Sequence, residues 1–147
     1  MSRLRTAPGK SFDELLSAAP GALEADTAMR RLLVEQLTPR LYSLIGLVVA
    51  GCLHCESLVE GLRGRRDQSF GAQAASDWRA FALTPAEKAV LAYAEKGTTD
   101  EASLRRRDVD KLREAGFSDK EVLLIATAIA YHNYSIRMAA AFDVTPR

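Results

Sequence analysis

Cysteine is nearly absent from this 147-residue chain: it occurs twice, at Cys52 and Cys55. So low a content excludes a disulfide-stapled secreted scaffold and points to a reducing compartment, read here as cytoplasmic. Charge of one sign is lacking as well. Twenty Lys+Arg stand against nineteen Asp+Glu, a net charge of +1, without the basic excess of a nucleic-acid binder. Long hydrophobic runs are missing too. The longest, Leu44 to Leu53, has ten residues, against about 20 needed to cross a bilayer, so no membrane partner is expected. The N-terminal Met1-Ser-Arg-Leu-Arg-Thr is basic but leads into Ala-Pro-Gly-Lys, without the apolar stretch of a signal peptide. There is no glycine-rich phosphate loop and no metal-ligand cluster. A structural zinc site wants four Cys/His ligands, and the two histidines are His132 and a His54 squeezed between the thiols. Neither a metal nor a cofactor is expected.

What is present is an ordinary globular mixture, 48% hydrophobic and 27% charged, sized for one domain. Its punctuation is helical. Ser11-Phe-Asp-Glu14 and Ser118-Asp-Lys-Glu121 have the form of capping boxes, and Thr84-Pro85-Ala86-Glu87 adds a proline at the first helical position. Leu23 to Gln36, with Leu37 just after it, places apolar residues at 29, 32, 33 and 37, the spacing of one helix face. Thr38-Pro39 opens a nearly all-apolar helix to about Ala50, which should be buried. Gly51 is expected to end it, with a new helix starting at the cysteines and running to Gly61 or Arg63, and an Ala-rich helix over Phe70–Phe81. A short helix from Asp108 to Ala115 is closed by Gly116, and the helix opened at Ser118 can reach Ala141. No segment alternates as a strand. The fold class is all-α: a compact helical bundle of about seven or eight helices, with residues 1–19 as an arm carrying a short helix and 20–147 as the domain.

Gly51-Cys52-Leu53-His54-Cys55 is the constellation that asks for chemistry. At the start of a helix, residues i and i+3 share a face with Cβ atoms about 5–6 Å apart, near disulfide geometry. There Cys52 would meet free N–H groups and the positive end of the helix dipole, both of which favour thiolate. The neighbouring thiol can then resolve a sulfenic acid or mixed disulfide. The competing reading is that both cysteines simply pack. Trp78 and Phe81, with Phe70 eight residues before Trp78, read as core or oligomer contacts. Arg105-Arg-Arg107 reads as a solvated surface with local ion pairs.

These residues resemble the carboxymuconolactone decarboxylase / alkylhydroperoxidase-D-like family, in particular its peroxidase-related branch, over roughly residues 20–144. The resemblance rests on the buried helix leading into Gly-Cys-x-x-Cys, and on three downstream segments. These are Leu83-Thr-Pro-Ala-Glu-Lys…Leu91-Ala-Tyr-Ala-Glu-Lys, Asp108-Val-Asp-Lys-Leu-Arg-Glu-Ala-Gly-Phe-Ser-Asp and Tyr131-His-Asn-Tyr-Ser-Ile-Arg137. It implies a thiol–disulfide cycle on Cys52 and Cys55 that reduces a peroxide or a partner's disulfide, a thiol reductant protein, and a homo-oligomer. The family's proton relay is a Glu twelve residues before the first cysteine and a His four residues after the second. Those positions fall on Arg40 and Val59, so both relay groups are missing.

Substitutes for the relay are few. Arg40 can favour a thiolate by its charge but cannot shuttle protons, and His54 can act as a base if it reaches a thiol. Glu35, Glu56 and Glu60 are further carboxylates nearby in sequence. Asn133 and Arg137, one turn apart, read as capping of the last helix with an intersubunit hydrogen bond. A thiol oxidoreductase is the leading expectation. A family member without catalysis, serving as an assembly module or redox-sensing thiol pair, is the alternative, and lactone decarboxylation stands third.

Overall fold

The computed structural model describes residues 11–55 and 77–146. Among these the chain forms six α-helices and two single 3₁₀ turns, with no strand. In chain order they are α1 (Phe12–Leu16), α2 (Ala22–Gln36), α3 (Pro39–Cys52), the 3₁₀ turn Trp78–Ala80, α4 (Pro85–Thr99), the 3₁₀ turn Glu101–Ser103, α5 (Arg106–Glu114) and α6 (Asp119–Phe142). The all-α reading is therefore correct. The expected helix after the cysteines, and most of the one over Phe70–Phe81, lie outside the described residues.

The helices begin where their side chains can satisfy the first free N–H groups. Ser11, Thr84 and Ser118 each accept from the N–H three residues on, while Glu14, Glu87 and Glu121 reach back to the cap N–H. Thr38 accepts from the Leu41 N–H and Pro39 fills the first helical position. Asp108 plays the returning role at α5, accepting from the Arg105 N–H at 2.8 Å and from Lys96 Nζ at 2.8 Å. Arg105 and Arg106 are thus tied into local bonds, Arg105 to the Ala102 and Leu104 carbonyls and Arg106 to Asp110.

Burial decides what these helices enclose. In α3 seven consecutive residues, Leu44 to Ala50, are buried, because α4, α6 and α2 all pack against it. Leu33, Ile45, Val49, Val90, Leu91, Leu112 and Ile125 are fully excluded from solvent. Each such side chain contributes roughly 1.5–3 kcal/mol relative to exposure. The arm is not detached: Phe12 and Leu16 of α1 pack on Ala139 of α6 as a small second core. Trp78 is buried in the main core, as its spacing suggested.

Gly46 sets the distance between α3 and α6. A Cβ there would come within 2.8 Å of the His132 ring, so only a hydrogen lets the ring lie against the α3 backbone. The centre of the bundle is built around that contact.

Candidate functional site

The end of α3 differs from the expected arrangement, and the difference is chemical. Gly51 does not stop the helix, which continues through Cys52. Leu53 caps it and His54 adopts a left-handed conformation with φ 55°. The His54 N–H donates to the Gly51 carbonyl at 3.2 Å and the Cys55 N–H to the Ala50 carbonyl at 2.8 Å. This pair of bonds is the Schellman closure, and the same closure ends α5 with Gly116 at φ 106°. At α3 a histidine stands where glycine is usual, at about 1–2 kcal/mol for the crowded Cβ.

Cys52 therefore sits in the last turn of a helix rather than the first, where the dipole is negative and disfavours thiolate. Burial, the first cause, and then the charge of Glu95 push its thiol up; Arg79 opposes them. Cys52 and Cys55 are both half-buried against the core, neither is in a disulfide, and they are not at disulfide distance. The turn at His54 has carried Cys55 off the helix, so the shared-face geometry is not realised in this reduced state. The His54 side chain itself is exposed.

Arg40 lies at the other end of α3, twelve residues or about 18 Å along the axis from Cys52. Its guanidinium pairs with Glu87 of α4, Nε to Oε1 at 2.6 Å, and this hydrogen bond holds the Glu87 carboxyl below the usual carboxylate range. Arg40 is thus not brought to the thiols. Glu35 is exposed on α2. Val59, Glu56 and Glu60 lie outside the described residues, as does Phe70. Asn133 donates to Thr98 Oγ1 of α4 at 3.1 Å and to its own helix at the Ile129 carbonyl, and Arg137 donates back to it at 3.4 Å. That pair ties α6 to α4 within one chain.

Three residues not singled out for chemistry make up the electrostatics near Cys52. Trp78 Nε1 donates to Glu95 Oε2 at 2.6 Å, and Arg79 Nη1 donates to the same oxygen at 2.9 Å. The Arg79 guanidinium stacks over the Trp78 ring, 4.2 Å from its centroid. Burial pushes the Glu95 carboxyl up, but the two hydrogen bonds and the Arg79 charge outweigh it, so the group is held below its ordinary range and is a carboxylate at neutral pH. No local spacing links 78, 79, 95 and 52; the packing of α4 on α3 does. Among the described residues no three His, Cys, Asp or Glu side chains group as a metal site.

A second polar cluster lies in the core between α2, α3 and α6. Asp26, Tyr131, His132 and Ser135 are buried, and the Tyr131 hydroxyl donates to Asp26 Oδ2 at a long 3.5 Å. The His132 ring is 4.7 Å from the ring of Tyr42, and burial lowers its pKa to about 4. The Tyr42 backbone is near enough to favour the charged form slightly, but both ring nitrogens lack a hydrogen-bonding partner among the described residues.

The sequence matches no protein-family profile and no curated protein. Solved structures do match in shape. An uncharacterized peroxidase-related protein from Silicibacter sp. TM1040 superimposes with TM-score 0.81 at 24% identity, covering 92% of this chain and 75% of that one. The alkylhydroperoxidase AhpD core of a peroxidase-related protein from Ralstonia eutropha JMP134 gives 0.75 at 23% identity, over 90% and 74%. The debrominase Bmp8, carrying a cysteine-to-alanine substitution and bound to 2,3,4-tribromopyrrole, gives 0.74 at 20%, over 92% and 75%. This chain has the alkylhydroperoxidase-D-like fold.

Proposed function

We propose that this chain belongs to the alkylhydroperoxidase-D-like family and is a thiol-dependent oxidoreductase that reduces hydroperoxides with Cys52 and Cys55. One observation carries the reading: two reduced cysteines flank a strained left-handed turn at the end of the central helix, in a fold shared with peroxidase-related proteins. A residue held in left-handed backbone beside a reactive pair is where a chain can rearrange to close a disulfide. The cycle consumes one hydroperoxide per pair and needs a thiol reductant. The proposal includes self-association, which the family resemblance implies.

The test starts from reduced protein. Added hydrogen peroxide or an organic hydroperoxide should remove two free thiols per chain, and dithiothreitol should restore them. Consumption no faster than that of free cysteine would exclude peroxide reduction. The raised Cys52 thiol favours a second reading, a packed or redox-sensing pair without turnover. That reading expects slow, single-round oxidation even with excess dithiothreitol.

A further inference from the structure

Among the described residues, the large apolar side chains left exposed are Met29, Leu32 and Val34 on α2 and Leu123 and Tyr134 on α6, two helices that pack together. Leu123 is the extreme, at 66% exposure. It belongs to a row. Asp119, Leu123, Thr127, Ala130, Tyr134 and Arg137 follow one another at steps of three or four residues, so they share one face of α6 about 27 Å long. All are exposed except the half-buried Thr127. The flanks place this ridge in the bundle: Tyr131 on one side bonds to Asp26 of α2, and Asn133 on the other bonds to Thr98 of α4. The middle of the ridge is small, with Ala126, Thr127 and Ala130, and the Thr127 hydroxyl donates to the Leu123 carbonyl of its own helix at 2.7 Å. Its aromatic residue is held in place: the Tyr134 ring centroid lies 6.4 Å from that of Phe12, edge-on, and 6.0 Å from that of Tyr131. Its two ends carry opposite charges, Asp119 and Arg137.

We propose that this ridge of α6 packs antiparallel against the same ridge of a second copy of the chain, with the two-fold axis at the level of Thr127 and Ala130. This rests on the self-association within the proposed function and gives it a surface and a symmetry. The row is its own complement when reversed. Small residues then meet at the centre, Ala126 and Thr127 opposite Ala130 of the partner subunit, so the two backbones can approach closely. Leu123 meets Tyr134 of the partner subunit on each side of the axis, and a large aromatic already held in place makes a good anchor. Asp119 meets Arg137 of the partner subunit at each end. Asp119 accepts from Arg113 through Oδ1, and a carboxylate can take a second guanidinium on its other oxygen. A parallel pairing would instead set Asp119 on Asp119 and Arg137 on Arg137, like charge on like. A second copy fits better than an unrelated partner because one chain supplies both halves of this match. A contact about 27 Å long and two helix diameters wide covers on the order of 500 Å² of each subunit, the low end for a specific interface, so the dimer dissociates on dilution.

The test is sedimentation equilibrium of the reduced full-length protein across about 1–200 μM, the range in which a face of this size should associate. The wild type should form dimers, alone or as the unit of a larger assembly. Leu123→Asp should weaken association by about tenfold or more, while its urea midpoint in dilute protein stays at the wild-type value because the side chain is exposed. Asp119→Arg and Arg137→Asp should each weaken association by about tenfold, since each sets like charges together at both ends. An equimolar mixture of those two variants should associate again, because each end of the mixed dimer then holds one Arg and one Asp. Weakening by both variants without rescue in the mixture overturns the inference. So does an oligomer that none of the three substitutions moves, which leaves the proposed self-association standing on another surface. A wild type that stays monomeric throughout overturns the inference and the proposed self-association together, and peroxide reduction is then judged separately by the thiol assay. A monomer that binds phosphatidylglycerol vesicles and loses that binding in Leu123→Asp gives the ridge to a lipid surface and overturns the inference as well.

Discussion

His54 shows how one residue's backbone can outweigh its side chain. Its imidazole was a candidate base because of its place between the thiols, yet its imidazole is exposed and its φ of 55° is what shapes the site. The left-handed step turns the chain so that the Cys55 N–H reaches the Ala50 carbonyl, and this sends the two sulfurs apart. Glycine adopts that conformation without a Cβ clash, as Gly116 does at the end of α5. His54→Gly should therefore raise stability by about 1 kcal/mol, read as a higher urea midpoint at unchanged slope. An unchanged or lower midpoint would mean that the imidazole makes compensating contacts. Nothing in the sequence distinguished this ending from a helix start, since Gly-Cys-x-x-Cys carries a glycine that can serve either. The preceding apolar run was strong enough to extend α3 one residue past Gly51, which reversed the sign of the dipole at Cys52.

Helices were legible to the extent that their signals are local. Ser11, Thr84 and Ser118 each announce a helix because the groups they satisfy lie three residues away, and all three capping boxes are present. Contacts between helices carry no such signature. Glu95 carries no local spacing that singles it out, and only the packing of α4 on α3 brings its charge to bear on Cys52. Gly46 is hidden in the same way: in an apolar helix it looks like a weak position, since alanine would add about 1 kcal/mol of helix propensity. The His132 ring lies where the methyl would go, 2.8 Å from its centre. Because both helices are fixed by a fully packed core, neither can retreat cheaply. Gly46→Ala should thus destabilise by about 1–3 kcal/mol despite the propensity gain, measured by chemical denaturation. If the variant is more stable than wild type, the α3–α6 contact is softer than the close approach implies.

At the scale of the whole molecule, the buried histidine couples stability to pH. His132 has a folded pKa near 4 against about 6.5 in an unfolded chain, because burial disfavours its charged form. Between those values the unfolded chain binds the extra proton and the folded one does not, so stability must fall as pH drops from 6.5 to 4 and level off below. A gap of this size corresponds to about 3 kcal/mol across the window. Among the described residues the groups facing the ring are Arg30 from α2, Tyr42 from α3 and Tyr131 beside it, and the cluster's carboxylate, Asp26, accepts from Tyr131 rather than from the imidazole. The carboxylates held below their ordinary range, Glu87, Glu95, Asp108 and Glu121, act in a lower window. Their stabilisation is complete above the unfolded carboxylate pKa of about 4 and is lost only as pH falls through their lower folded values. The two effects therefore separate on a pH axis. Urea denaturation between pH 7.5 and 4.5 should show the wild type losing stability steadily below 6.5, while His132→Phe, which keeps a ring against Gly46 without titrating, should be nearly flat there. Parallel slopes in the two proteins would assign the acid sensitivity to other groups and show that the core admits a partner for the charged ring.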